Sequence, residues 1–169
     1  MRYLLNLSTP ATYEIFTQTS RTISAYPASH EQQAKRVQIG DIFVCYLTKL
    51  SRWVGLLEVQ SEYFIDTTPI YALEDPYIIR FKVKPLVWLP RDLTIPIKEP
   101  HVWDTLSFTR GQGRNSNSWI GTVRSNLREL SAEDGQFLMS LLSAQALERR
   151  LYSVNERKYQ QYLALTISE

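Results

Sequence analysis

Ile39-Gly40-Asp41-Ile42-Phe43-Val44-Cys45-Tyr46-Leu47, followed by Trp53-Val54-Gly55-Leu56-Leu57-Glu58-Val59, is the stretch on which the fold of this chain turns. Both runs are dense in β-branched, aromatic and aliphatic residues, and the polar Thr48 to Arg52 separates them, which predicts consecutive antiparallel strands. Gly40-Asp41 supplies a turn before the first, and Gly55 inside the second marks a bulge or bend. Farther on, Ile78 to Leu89 alternates: Ile79, Phe81 and Val83 fall on one face and Arg80, Lys82 and Lys84 on the other. That basic stripe is either a phosphate contact or the solvated face of a half-buried strand.

Helical signals flank this β core. Tyr3 to Leu7 is a short apolar run, and Ser8 or Thr9 then caps a helix with Pro10 in its first turn, running to about Thr19 with Tyr13 and Phe16 inward. Ser29 and Gln32 have capping-box spacing and open a short polar helix to Arg36. Pro90 to Pro100 carries three prolines and reads as extended connection, with a short helix expected around Val102 to Leu106. Phe108 to Ser118 is a Gly-, Arg- and Asn-rich loop that lacks the Gly-Lys-Ser/Thr ending of a P-loop. Ser131 with Asp134 caps a helix presenting Phe137, Leu138, Leu141 and Leu142, and Ser153 with Glu156 starts another. Strands in the middle with helices before and after predict an α+β fold, a small β-barrel flanked by helices.

Composition narrows the function classes. A chain of 169 residues fits one domain with a full core, expected over residues 1–146 with a helical extension over 147–169. Ten Tyr, six Phe and four Trp exceed what core filling demands, so some rings are free to line a site. A net charge of +2 is too small for gripping long DNA by charge alone, so any nucleic-acid contact must be local. The one cysteine, Cys45, excludes an intramolecular disulfide and a Cys-based zinc site, which with the absence of a signal peptide or 20-residue apolar span predicts a cytoplasmic protein with no membrane partner.

The quoted strands, together with Tyr63-Phe64-Ile65-Asp66, Thr68-Pro69-Ile70-Tyr71, Arg80-Phe81-Lys82-Val83-Lys84-Pro85-Leu86 and Trp119-Ile120-Gly121-Thr122-Val123-Arg124-Ser125-Asn126-Leu127-Arg128-Glu129-Leu130, closely resemble EVE domains in order and spacing. The likeness extends from Tyr3 to about Leu142. It implies a PUA-like β-barrel related to the YTH readers of methylated adenine in RNA. It further implies a module that binds and does not catalyse, reading a modified cytosine, 5-methyl or 5-hydroxymethyl, flipped out of DNA. DNA stands ahead of RNA as the partner, in modification-dependent restriction or defence, with any cutting left to a separate nuclease. An RNA-binding or protein-interaction adaptor without modified-base selectivity is the alternative, and a binder of free nucleosides a third.

A flipped base needs flat apolar walls and a few polar groups aimed at its edge. By similarity to the superfamily the pocket falls to Asn6, Ser8, Ser24, Tyr26 and Tyr71, with Trp119 beside the Gly-rich loop. Tyr71 matches a position where many EVE domains carry Trp. The segment Thr22 to Tyr26, where methyl-adenine readers place a cage Trp, has none, and Tyr26 is the ring that substitutes. Bland readings stand beside these: Tyr71 packed on its own loop, Ser24 as a turn residue, Trp119 in the core, Trp53 and Trp88 as core or barrel surface, Arg124 in an ion pair. Lys35, Arg36, Arg110, Arg114 and Arg124 are candidate phosphate contacts on polar helix or loop segments, or else solubilising charges.

Catalysis finds little support. His30 lies in the polar helix and His101 beside Pro100, neither next to a convincing nucleophile. One cysteine cannot satisfy the His-x-Glu and Cys-x-x-Cys set of zinc deaminases. Glu74-Asp75 and Glu133-Asp134 have turn and cap explanations, so no metal site or cofactor is expected and the chain reads as a non-enzyme.

Overall fold

A computed structural model describes residues 1–71 and 76–164. Its elements in chain order are β1 (Tyr3–Ser8), α1 (Pro10–Gln18), β2 (Ile23–Tyr26), α2 (Glu31–Ala34), β3 (Ile42–Leu47), β4 (Arg52–Val59), β5 (Phe64–Ile65), β6 (Ile79–Trp88), β7 (Ile95–Pro96), α3 (Pro100–Thr105), β8 (Glu129–Leu130), α4 (Ala132–Glu148) and α5 (Glu156–Leu163). Glu74-Asp75 lies outside the described residues.

The main sheet runs β2-β6-β4-β3-β1-β8, with β5 added to β6 and β7 to β4. β3 and β4 pair antiparallel, while β1 lies parallel to β3 from Tyr3 opposite Ile42 to Ser8 opposite Leu47. The sheet curls, but β2 and β8 remain its edges, so the barrel is a half-barrel rather than a ring of paired strands.

Every residue of β3 is buried. Its unbroken apolar run has a direct cause, since the strand separates two cores. Ile42, Val44 and Tyr46 face α3 and α4 together with Trp53, Trp103, Leu138 and Leu142, whereas Phe43, Cys45 and Leu47 face the concave side with Tyr13, Phe16, Tyr26 and Phe81. Each large side chain so buried contributes roughly 1.5–3 kcal/mol against the entropy of ordering the chain.

Two glycines permit the close packing. A Cβ on Gly55 would overlap the Val87 carbonyl oxygen, and one on Gly135 in α4 would overlap the Tyr3 ring. The bulge expected near Gly55 is present between Cys45 and Tyr46 opposite it, and a second irregularity follows between Leu56 and Leu57 against β6.

Several local expectations need correction. Ser29 makes no capping bond; Ala28–His30 is a single 3-10 turn leading into α2, and the Ser29 hydroxyl turns to His30 Nδ1 at 3.4 Å. The cap of α5 is Asn155, which accepts from the Lys158 amide, not Ser153. Arg80 does not join Lys82 and Lys84 on a solvated face. It is buried, pairs with Asp66 at 3.2 Å and donates to the Thr68 and Tyr77 carbonyls. The anticipated boundary after residue 146 falls inside α4, and α5 is fastened to α1 by the Tyr159 hydroxyl donating to Glu14.

Candidate functional site

Where β1 and β2 approach each other without pairing, their side chains meet. The Ser24 hydroxyl lies 3.1 Å from the Tyr26 hydroxyl, which donates to Asn6 Oδ1 at 3.0 Å, while Asn6 Nδ2 points to Cys45 Sγ at 3.2 Å. Ser24 and Tyr26 share a face because they are two apart on a strand. The Tyr26 ring sits edge-on to Phe43 and Phe81, with centroids 5.9 and 6.0 Å away. Burial drives the Tyr26 hydroxyl well above its ordinary pKa and pushes the Cys45 thiol up to about 12. Both therefore remain neutral hydrogen-bonding groups at physiological pH.

Above this relay lies a narrow slot of about 20 Å³, lined by Asn6, Ser8, Thr12, Phe16, Ser24, Tyr71, Tyr77 and Trp88 among others. Trp88 is held by its indole N–H donating to Thr17 Oγ1 at 3.0 Å and packs against Phe16 at 4.7 Å and Tyr13 at 5.7 Å. Tyr71 and Tyr77 meet edge-on at 5.0 Å. Tyr71 and Phe16 also border a mainly apolar cavity of about 240 Å³ containing Ile23, Phe64 and Ile70.

The slot shares Leu7, Ser8, Thr12 and Tyr77 with a groove of about 760 Å³. His30, Lys49, Lys98, Arg124 and Asn126 line that groove. Lys49 is presented by the β3–β4 turn, in which it and Ser51 both adopt left-handed backbone. Asn126 is oriented by the Leu7 amide, which donates to its Oδ1 at 2.8 Å and leaves the amino end for another partner. Burial lowers the His30 pKa, so it is neutral near pH 7.

Of the residues expected at the pocket, Asn6, Ser8, Ser24 and Tyr71 come together at the slot. Tyr26 does not offer a stacking face; it is wholly buried and serves as the strut beneath. Trp119 lines the groove rather than the slot, with its edge against Trp103 at 5.5 Å and its indole N–H donating to the Ser116 carbonyl at 2.7 Å. Of the phosphate candidates only Arg124 lines the groove. Lys35 and Arg36 border other concavities, Arg110 is 3.3 Å from Glu133, and the exposed Arg114 lines neither slot nor groove.

Phe16, Trp88, Tyr77, Lys49, Lys98 and Asn126 were not singled out for the site from sequence. Trp88 ends its strand, and only the side-chain bond to Thr17 reveals which way the ring turns. No group of three His, Cys, Asp or Glu side chains able to hold a metal ion exists among the described residues. Asp134 accepts from the Ser107 amide at 2.9 Å and Glu133 pairs with Arg110.

Set against known structures, this curled half-barrel flanked by helices is the fold of YTH domains. The YTH domain-containing protein mmi1, solved in an RNA complex, superposes with a TM-score of 0.60 at 11% identity, over 88% of this chain and 85% of that one. The YTH domain of Zygosaccharomyces rouxii MRB1, solved with N6-methyladenosine RNA, gives 0.56 at 14% identity over 83% and 86%. No protein-family model matches the chain. A UPF0310 protein of Pyrococcus abyssi is 31% identical over 134 residues, 72% of this chain and 87% of that protein. The chain belongs to the UPF0310 family.

Proposed function

We propose that this protein reads a modified base without catalysing a reaction on it. The observation carrying this reading is the Ser24–Tyr26–Asn6 relay at the foot of an aromatic slot. The relay fixes short polar groups where a base edge would arrive, and Trp88, Phe16 and Tyr71 offer apolar walls. Stacking on such rings contributes roughly 1–3 kcal/mol per base. As it stands the slot has room for about one water-sized sphere, so the side chains that line it must part to admit a base. The cationic groove takes the flanking backbone.

The base is 5-methyl- or 5-hydroxymethylcytosine flipped out of DNA, as the resemblance to EVE domains implies, in a cytoplasmic defence role with a separate nuclease. Fluorescence anisotropy on DNA carrying cytosine, 5-methylcytosine or 5-hydroxymethylcytosine tests this, with tighter binding of a modified strand expected. Equal affinity for all three rules the reading out. A second reading takes the base from RNA and is favoured by the fold shared with YTH domains solved with RNA. Preference for an N6-methyladenosine RNA over every DNA in the same assay selects it.

A further inference from the structure

Asn126 belongs to two concavities. On one side it lines the groove, and on the other it borders a polar hollow of about 340 Å³ that also holds Arg2, Arg36, Ser125, Arg128 and Glu129, whose carboxylate lies 4.0 Å from Arg2. The hollow exists because Leu127, in left-handed backbone, lets the chain run beside β1, where the Leu127 amide donates to Leu5 O and the Leu5 amide to Arg128 O. That pairing turns the exposed Arg124, Ser125 and Arg128 outward along one edge of the fold.

Four arginines of this chain are held in ion pairs. Arg2 pairs with Asp41 at 3.3 Å, Arg80 with Asp66, Arg91 with Glu156 at 2.8 Å and Arg110 with Glu133. Arg36, Arg124 and Arg128 are exposed, line these two concavities, and have no carboxylate partner among the described residues. Unpaired guanidinium groups around contiguous hollows suit the spaced negative charges of a phosphodiester chain.

The geometry points to a second anion subsite, formed by Arg36 and Arg128, that grips the phosphodiester backbone beyond the nucleotide whose base occupies the slot. The strand leaves the groove past Asn126 and continues into the hollow on one side only. This deepens the reader proposal and rests on it for the strand's direction, although phosphate binding at the two arginines is measurable by itself.

The test uses the full chain and single-stranded DNA with one 5-methylcytosine, lengthened one nucleotide at a time on either its 5′ or its 3′ side. Affinity is expected to rise with extension on one side and stay level on the other. The double variant Arg36→Gln/Arg128→Gln should erase that rise, weaken the longer strand by roughly tenfold at 0.1 M salt, and flatten the salt dependence by about 1.4, two phosphates at about 0.7 each. The charge-retaining pair Arg36→Lys/Arg128→Lys should restore the slope, which separates lost charge from lost folding. An unchanged slope in the Gln variant, with selectivity for 5-methylcytosine intact, overturns the subsite and spares the reader. Loss of slope on both modified and unmodified strands, with no selectivity in the wild type, supports the subsite and overturns the reader.

Discussion

The Tyr26 hydroxyl donates to Asn6 Oδ1 at 3.0 Å, joining two strands that share no backbone hydrogen bonds. This contact bridges the open side of the half-barrel and holds the Asn6 amide in one orientation at the base of the slot. Tyr26→Phe removes it while keeping the ring between Phe43 and Phe81. Leaving a buried amide oxygen unsatisfied costs about 1–3 kcal/mol. Chemical denaturation should read that loss, and base selectivity should fall with it. A variant of undiminished stability and selectivity removes the relay from the account.

Trp88 is the largest ring in the slot wall. Trp88→Ala should weaken binding of a modified strand about fivefold or more, corresponding to a stacking contribution of roughly 1–3 kcal/mol. Trp53→Phe, deep in the other core, serves as the comparison, since its ring lines neither slot nor groove. Equal loss in both variants would mean that Trp88 acts through stability alone.

Gly135 sets helix propensity against packing. Gly→Ala within a helix ordinarily gains about 1 kcal/mol. Here the added methyl would overlap the Tyr3 ring, so Gly135→Ala should instead destabilise by about 1–3 kcal/mol. Adding Tyr3→Leu should recover part of the loss if the ring is the obstacle.

The His30 pKa is lowered by burial from an ordinary 6.5. Below that value the unfolded chain takes up a proton that the folded chain resists, so stability falls as pH drops through 6.5 toward the folded pKa and is unaffected above it. Thermal melts across this window should show the decline, and His30→Gln should flatten it. Tyr26 and Cys45 stay neutral, so base affinity at fixed salt should be level from roughly pH 7 to 9.

The C-terminal helix bears on the slot through α1. Tyr159 is buried with its hydroxyl on Glu14, and Arg91 lies 4.6 Å over its ring. Tyr159→Ala should release α5 and quicken amide exchange in both α5 and α1, measured by mass spectrometry. Exchange confined to α5 would show that α1 needs no such support.

Local chemistry carried the strand pair around Gly40 and Gly55 and the Ser131 cap of α4, while the resemblance to EVE domains placed Asn6, Ser24 and Tyr71 at one site. Such features depend on neighbours in sequence, on side-chain period and on capping groups three residues apart, or travel with a recognisable order of motifs. The role of Tyr26, the burial of Arg80 and the gathering of Lys49, Lys98, Arg124 and Asn126 depended on which surfaces the curled sheet brings together. A phenol can face a cavity or lie beneath it, and a guanidinium can be solvated or paired. The same residues satisfy either arrangement until distant segments supply the partner, so only the tertiary structure decided between them.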